Sequence, residues 1–311
     1  MKKIFWIPAS FFVSPMDRPS RNPITRIRNR RQINGPSVLL KNALLGLKEI
    51  GVVVLKNPDL SFPDSAPYWI PSGDLSTLSK REIDTLSETN LTLGPNIDWF
   101  NAGNVNVISQ LKQVKILVPH YWIISTIEKI LPQNCRVLVW YSGIDMFFWQ
   151  NKERDPRLLK VLIYIKNVND LENRRCAESY LQSRQIDYEV LEYGSYSQSQ
   201  FKKTLNRVTA AIWIGGTESQ GLALLECWSM DVPTLVLKNM SWRSPNNQIY
   251  PASSAPYMTE TAGLLSKSDK FCKEDFEDFF SKLKHFSPRE SVQESFNLAN
   301  RATHLFELLE L

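Results

Sequence analysis

Between residues 161 and 238, four short strand-like runs are separated by segments of helical length and polarity: VLIYI (161–165), DYEVLEY (187–193), AAIWI (210–214) and TLVLK (234–238). Runs this dense in β-branched and aromatic side chains read as strands. Strands alternating with helical segments pair in parallel, because each crossover helix carries the chain back to the same edge of the sheet. ENRRCAESYLQSR and SQSQFKKTLNRV are the intervening helices, the second announced by serines at its start. Residues 151–285 therefore form a Rossmann-like α/β unit.

The first half repeats this pattern less clearly. A strand is expected at 3–7, then an arginine-rich loop. A helix opens at Gly35-Pro36-Ser37, with Val38, Leu40, Leu44, Leu45 and Leu47 as its apolar positions, and ends at Gly51. VVVL (52–55) is a buried strand, 57–80 reads as loops rich in Pro, Ser and Asp, and strands follow at 105–109, 114–118 and 136–140, with a helix near 122–131. The charged stretch WQNKERDPR places a domain boundary near residue 150. In the C-terminal helices Phe276, Phe279, Phe280 and Leu283 make one apolar stripe. Ser287, Pro288 and Glu290 have the spacing of a capping box, and the last helix is expected to carry Phe296, Ala299, Leu305, Phe306 and Leu309. The chain thus divides into 1–150, 151–285 and a closing segment 286–311.

At 311 residues, 43% of them hydrophobic, the chain is long enough for two ordinary cores. Its four cysteines form no CxxC pair, which argues against a disulfide framework or a zinc site and fits a reducing, cytoplasmic setting. MKKIFWIPASFFVSP superficially resembles a signal peptide, but Pro8 interrupts the apolar run and no clean small-x-small site follows, so it is read as the first strand. No stretch reaches the roughly 18 apolar residues of a membrane span. The charge of +5 is local: RPSRNPITRIRNRRQING (18–35) holds six arginines and no acid, and without them the balance is −1.

Chemistry concentrates in TESQGLALLECWSM (217–230), between two expected strands. Ser219 is placed to cap the following helix, and Gly221 to let backbone approach a ligand. The free N–H groups of the first helical turn then favour a diphosphate, at the carboxyl end of a parallel strand where open α/β sheets bind ligands. Glu226, one to two turns in, suits a ribose diol. Glu218, in the loop, suits the hydroxyls of the attached sugar and the positive charge that develops at its anomeric carbon. The plain alternative makes Glu226 an exposed helix residue and Glu218 a helix N-terminal acid.

ESQGLALLECWSMDVPTLVL resembles the donor segment of retaining GT-B glycosyltransferases with the E-x7-E motif (the group 1, family 4-like enzymes): a Glu, a glycine turn, a second Glu on the helix, then Pro233 and a strand. RVLVWYSGIDMFFW resembles the junction loop of that family, with Ser142 in place of Asn and Gly143, Ile144, Asp145 and Phe148 matching. APYMTETAGLLSK is a weaker third match. The resemblance implies two facing Rossmann-like domains with the C-terminal helix crossing back to the first. It implies transfer of a sugar from a nucleotide-sugar to a glycan, lipid or other acceptor with retention, as in polysaccharide biosynthesis. It implies no metal and no cofactor, the nucleotide-sugar being a co-substrate. Glu218 would be the catalytic group, and Glu226, Ser219, Gln220, Gly221, Leu222 and Lys166 would bind the donor. Two departures stand out. The turn is Gly221-Leu222-Ala223, without the usual aromatic, and the basic pair is incomplete, with Lys166 present, Leu171 where the second cation belongs, and Arg174 or Arg175 as substitutes.

His120, after a first-domain strand, is a candidate sugar contact, although a polar residue at a strand end is the simpler reading. Arg26, Arg28, Arg30 and Arg31 suggest an anionic or membrane-associated acceptor and a peripheral location at the membrane surface, with a solvated loop as the equal alternative. Nucleic acid is not expected, because no aromatic platform accompanies the arginines. Two other functions stay open: a glycosyltransferase-like binding or scaffold protein without turnover, and a nucleotide-sugar epimerase of the same architecture.

Overall fold

The structure is a computed structural model that describes residues 3–6, 35–56, 66–151 and 158–310, with the backbone alone at 3–6 and 56. The described chain forms two compact units. The first runs to Gly143 and takes back the C-terminal helix from Leu298, and the second is Ile144–Asn297.

The first unit is a parallel sheet of six strands: β1 (Lys3–Trp6), β2 (Val53–Lys56), β3 (Tyr68–Gly73), β4 (Leu91–Ile97), β5 (Val114–Val118) and β6 (Cys135–Val139), in the order β2-β1-β3-β4-β5-β6. Its helices are α1 (Gly35–Glu49), α2 (Lys80–Ser87), α3 (Ala102–Ser109) and α4 (Tyr121–Ile127). In α1, Val38, Leu39, Ala43, Gly46 and Leu47 face inward. This face is rotated from the expected one, and Leu45 is exposed. Gly46 permits a close helix crossing: a Cβ there would lie 2.5 Å from the carbonyl oxygen of Leu298.

Two expectations for this unit fail. Residues 105–109 are helix, not strand: Asn101 caps α3 by accepting from the Gly103 N–H at 2.8 Å. Asn104, Val107 and Ile108 are buried at helical spacing, and Asn104 is held there by bonds to the Leu75 N–H at 2.7 Å and the Asp98 carbonyl at 2.9 Å. The stretch 57–80 is not all loop either, since it contains β3, whose first four residues are buried. Pro71 sits where the β3–β4 register shifts, so its missing N–H leaves no gap in a regular ladder.

The second unit is a parallel sheet of five strands: β7 (Lys160–Ile165), β8 (Asp187–Glu192), β9 (Ala210–Ile214), β10 (Thr234–Val236) and β13 (Gly263–Leu265), in the order β13-β10-β9-β7-β8. An antiparallel hairpin, β11 (Ser241–Arg243) and β12 (Ile249–Pro251), lies between β10 and β13 in sequence. The helices are α5 (Leu171–Ser183), α6 (Gln198–Leu205), α7 (Leu222–Ser229), α8 (Lys273–Ser281) and α9 (Pro288–Ser295). β7 and β9 are buried along nearly their whole length, as unbroken apolar runs require. Val161, Ile163, Ala177, Leu181, Ile212, Phe276 and Phe279 form the core on one face.

The division falls at Gly143/Ile144, a few residues before the position 150 drawn from composition. The closing segment 286–311 splits: α9 stays with the second unit, and only α10 (Leu298–Glu310) joins the first. Phe296 is the C-cap of α9, not part of the last helix, and it packs edge-on against Tyr257. Ser287 does stand at the N-cap of α9, but its side chain makes no capping bond, so the expected capping box is absent.

Candidate functional site

The strand order of the second sheet decides where a ligand fits. From β7 the chain crosses to β8 on one side, then returns past β7 to β9 and on to β10 on the other. The connections leaving β7 and β9 run in opposite directions, which opens a crevice at the carboxyl ends of these neighbouring strands.

Opposite charges line that edge. Lys166 directly follows β7, and Glu218 follows β9. The Lys166 Nζ lies 2.7 Å from Glu218 Oε2, with the two side chains 31% and 12% exposed. Backbone bonds fix both positions: Lys166 N–H donates to the Ile214 carbonyl and Glu218 N–H to the Ser253 carbonyl, each at 2.8 Å. Burial pushes the Glu218 carboxyl above the usual carboxylate range, and the charge and hydrogen bond of Lys166 oppose the shift without cancelling it. The Tyr193 ring, just past β8, lies 5.5 Å from Lys166 Nζ, within cation–π reach.

The turn after Glu218 differs in one respect from the sequence expectation. Ser219 does not cap the helix: Gly221 is the N-cap, at φ 61° and ψ 37°, and has no side chain to bond to the first turn. The helix starts at Leu222, so Ser219 lies two positions ahead of the cap, and the left-handed turn is one that glycine adopts without strain. The N-cap residue of α7 therefore supplies no side-chain bond to compete with an anion at the first-turn N–H groups. Beside them, Gln220 is only 5% exposed, yet neither its amide nitrogen nor its amide oxygen has a partner among the described residues. Such groups cost about 1–3 kcal/mol each when left unpaired.

Glu226 is 5% exposed, which removes the alternative of an exposed helix residue. Its Oε1 accepts a 2.9 Å hydrogen bond from Gln198 Nε2, at the start of α6. Tyr196 is close enough that the charges of Glu226 and Glu218 add to the burial that raises its hydroxyl pKa, and that hydroxyl lies 2.7 Å from the hydroxyl of Tyr164. Gln198, Tyr193 and Tyr196 were not singled out by sequence, although all three follow β8 at the same sheet edge. Further hydrogen bonds brace the elements around them. Trp228 Nε1 donates to Thr234 Oγ1 at 3.0 Å, and the Arg289 guanidinium binds the carbonyls of Trp149, Met146 and Ser229, tying α9 to the end of α7.

The other expected residues lie elsewhere. His120, in the first unit, is the N-cap of α4, with Nδ1 accepting from the Trp122 N–H at 3.2 Å. Asp145 works locally, its Oδ1 accepting from the N–H groups of Phe147 and Phe148 at 3.1 and 2.8 Å. Leu171 is exposed at the start of α5. Arg174 is engaged by Glu178 and Glu192. Arg26, Arg28, Arg30 and Arg31 lie outside the described residues. Among the described residues, no helix is long and apolar enough to cross a membrane.

No protein-family model matches this sequence, and no curated protein matches it either. Among solved structures, the chain is similar to a sucrose-phosphate synthase from Thermosynechococcus elongatus, with a TM-score of 0.54 and 10% identity over 99% of this chain and 98% of that one. At that identity the likeness establishes the fold: an α/β chain with two parallel sheets, of the GT-B class.

Proposed function

We propose that this chain is a glycosyltransferase that takes a sugar from a nucleotide-sugar donor and transfers it, with retention and without a metal, to an acceptor hydroxyl. The observation that carries this reading is the Lys166–Glu218 ion pair at the switch point of the second sheet. One cation and an uncapped helix start adjoin one buried acid, which matches a diphosphate leaving group next to a sugar.

In this scheme the α7 N–H groups and Lys166 hold the donor diphosphate. Glu226, oriented by Gln198, accepts from the ribose hydroxyls. Glu218 accepts from hydroxyls of the transferred sugar, and its charge stabilises the oxocarbenium character that grows as the anomeric C–O bond to phosphate breaks. The bonding pair leaves with the phosphate oxygen, toward Lys166. The acceptor hydroxyl bonds the anomeric carbon from the same face, and its proton passes to the departing phosphate. The sucrose-phosphate synthase likeness supports glycosyl transfer as the activity class, and the donor motif supports retention.

A second reading, nucleotide-sugar binding without turnover, is favoured by one feature: Lys166 is already neutralised by Glu218, and Leu171 adds no second cation. A thermal-shift panel of UDP-, GDP- and ADP-sugars, followed by donor turnover in wild type and Glu218→Gln, separates the two. Stabilisation by one nucleotide class with turnover lost in the variant supports the enzyme. Stabilisation without turnover in wild type supports the binding module. No stabilisation by any donor removes both.

A further inference from the structure

The amino edge of the first sheet carries a different arrangement of charge. A hollow of about 600 Å3 opens at the starts of β4, β5 and β6, with Asn90, Lys112, Lys115, Gln133 and Arg136 in its lining. Among the described residues that line it there are three cations and no Asp or Glu. Its volume lies in the range of small-molecule sites.

Two of the cations are opposed by the strand register. Lys115 on β5 pairs with Arg136 on β6, and Thr92 on β4 pairs with Lys115 on its other side, which places all three in one row on one face of the sheet. Like charges directly opposite on neighbouring strands are unfavourable. Lys115 is also only 8% exposed. Two of its three N–H groups go to carbonyls in the last turn of α10, those of Leu308 at 3.1 Å and Leu309 at 2.7 Å, and the third points to no acceptor in the described chain. Burial and, next, the charge of Arg136 lower the Lys115 amine to about 8. Lys112 turns to Glu88 at 2.6 Å, both largely exposed. Arg136 is exposed with no partner among the described residues, and the buried hydroxyl of Thr92 has none either.

A merely solvated basic surface would keep its lysine in water and its like charges apart. Here a buried lysine is set in register with an arginine over a hollow with no Asp or Glu among its described lining residues. We propose that this hollow binds a small phosphorylated molecule, its phosphate bridging the Lys115 ammonium and the Arg136 guanidinium, with the amides of Asn90 and Gln133 as further polar contacts. The lining is dominated by cations and amides rather than apolar side chains, which fits a soluble phosphate ester and not a lipid surface. The site is independent of the donor site at the second sheet.

Calorimetric titration of the full chain with inorganic pyrophosphate at low salt tests this. Lys166→Met serves to assign any binding at the second sheet, and Arg136→Gln to assign binding at the hollow. The expected result is a binding event that persists in Lys166→Met, weakens at least tenfold in Arg136→Gln, and weakens as pH rises through about 8 in wild type. The Arg136 side chain is exposed, so unchanged circular dichroism should accompany the loss. Equal affinities in wild type and Arg136→Gln overturn the proposal, as does equally weak binding of sulfate and pyrophosphate, which would mark an adventitious anion only. Association with vesicles containing anionic phospholipid that depends on Arg136, without pyrophosphate binding, would also overturn it.

Discussion

Lys166 and Lys115 stand at opposite ends of two similar sheets. Lys166 follows a strand at the carboxyl edge of the second sheet, and a buried carboxylate meets it at 2.7 Å. Lys115 lies near the start of a strand in the first sheet, where its register partner is an arginine and its acceptors are helix carbonyls. The first cation is neutralised before any ligand arrives, so an incoming diphosphate must share it with Glu218. The second is held without an opposing acid among the described lining residues. Ion pairing in one unit and like-charge crowding in the other predict opposite responses to removing a charge.

The largest expected effect is on turnover. Glu218→Gln keeps the shape of the side chain but removes the charge beside Lys166, and steady-state kinetics should show a fall in kcat of about 10²–10³ with donor affinity changed far less. Equal losses in binding and turnover would make Glu218 a structural partner of Lys166 and nothing more.

The next effect separates the lysines by pH. The folded-state value of Lys115, about 8, lies below its unfolded value of 10.5, so between those limits the unfolded chain holds more protons. Stability should therefore rise with pH across that window, by up to ~3 kcal/mol. Denaturant unfolding of wild type and Lys115→Met reads this directly: the rise belongs to wild type and should vanish in the variant. A rise of the same size in both would assign it to another group.

Smaller effects should differ in sign. Lys166→Met removes the countercharge beside the buried Glu218 carboxylate and should destabilise the protein by about 1–3 kcal/mol, a loss that shrinks in acid as Glu218 takes up a proton. Arg136→Gln relieves a cross-strand repulsion and should stabilise the ligand-free protein by a few tenths to about 1 kcal/mol. Chemical denaturation of the two variants side by side checks both signs, and a loss in each would erase the contrast between the sheets.

What the sequence disclosed follows from the same physics. The strands of the second sheet were legible because β7 and β9 are unbroken apolar runs, buried on both faces. β3 and β4 were not, because YWIPSG and LTLGPNI mix proline, glycine and polar residues into buried strands. The alternation in NVNVIS imitates period two, while Asn104 is in fact buried by satisfying the Leu75 N–H, a partner 29 residues away. At the site, Lys166, Glu218 and Glu226 could be found from strand ends and spacing. Gln198 could not, because its bond to Glu226 spans 28 residues and exists only once β8 and α6 are placed. Ser219 was misassigned by local chemistry alone: it is a good capping residue two positions ahead of the actual cap.

The most direct measurement is diffraction from crystals soaked with the nucleoside diphosphate that stabilises the protein most. The account predicts density for the diphosphate at the start of α7 within hydrogen-bond reach of Lys166, with the ribose hydroxyls on the Glu226 carboxylate and the Gln220 amide newly paired. A nucleotide bound elsewhere, with Glu226 still held only by protein groups and Gln220 still unpaired, would contradict it.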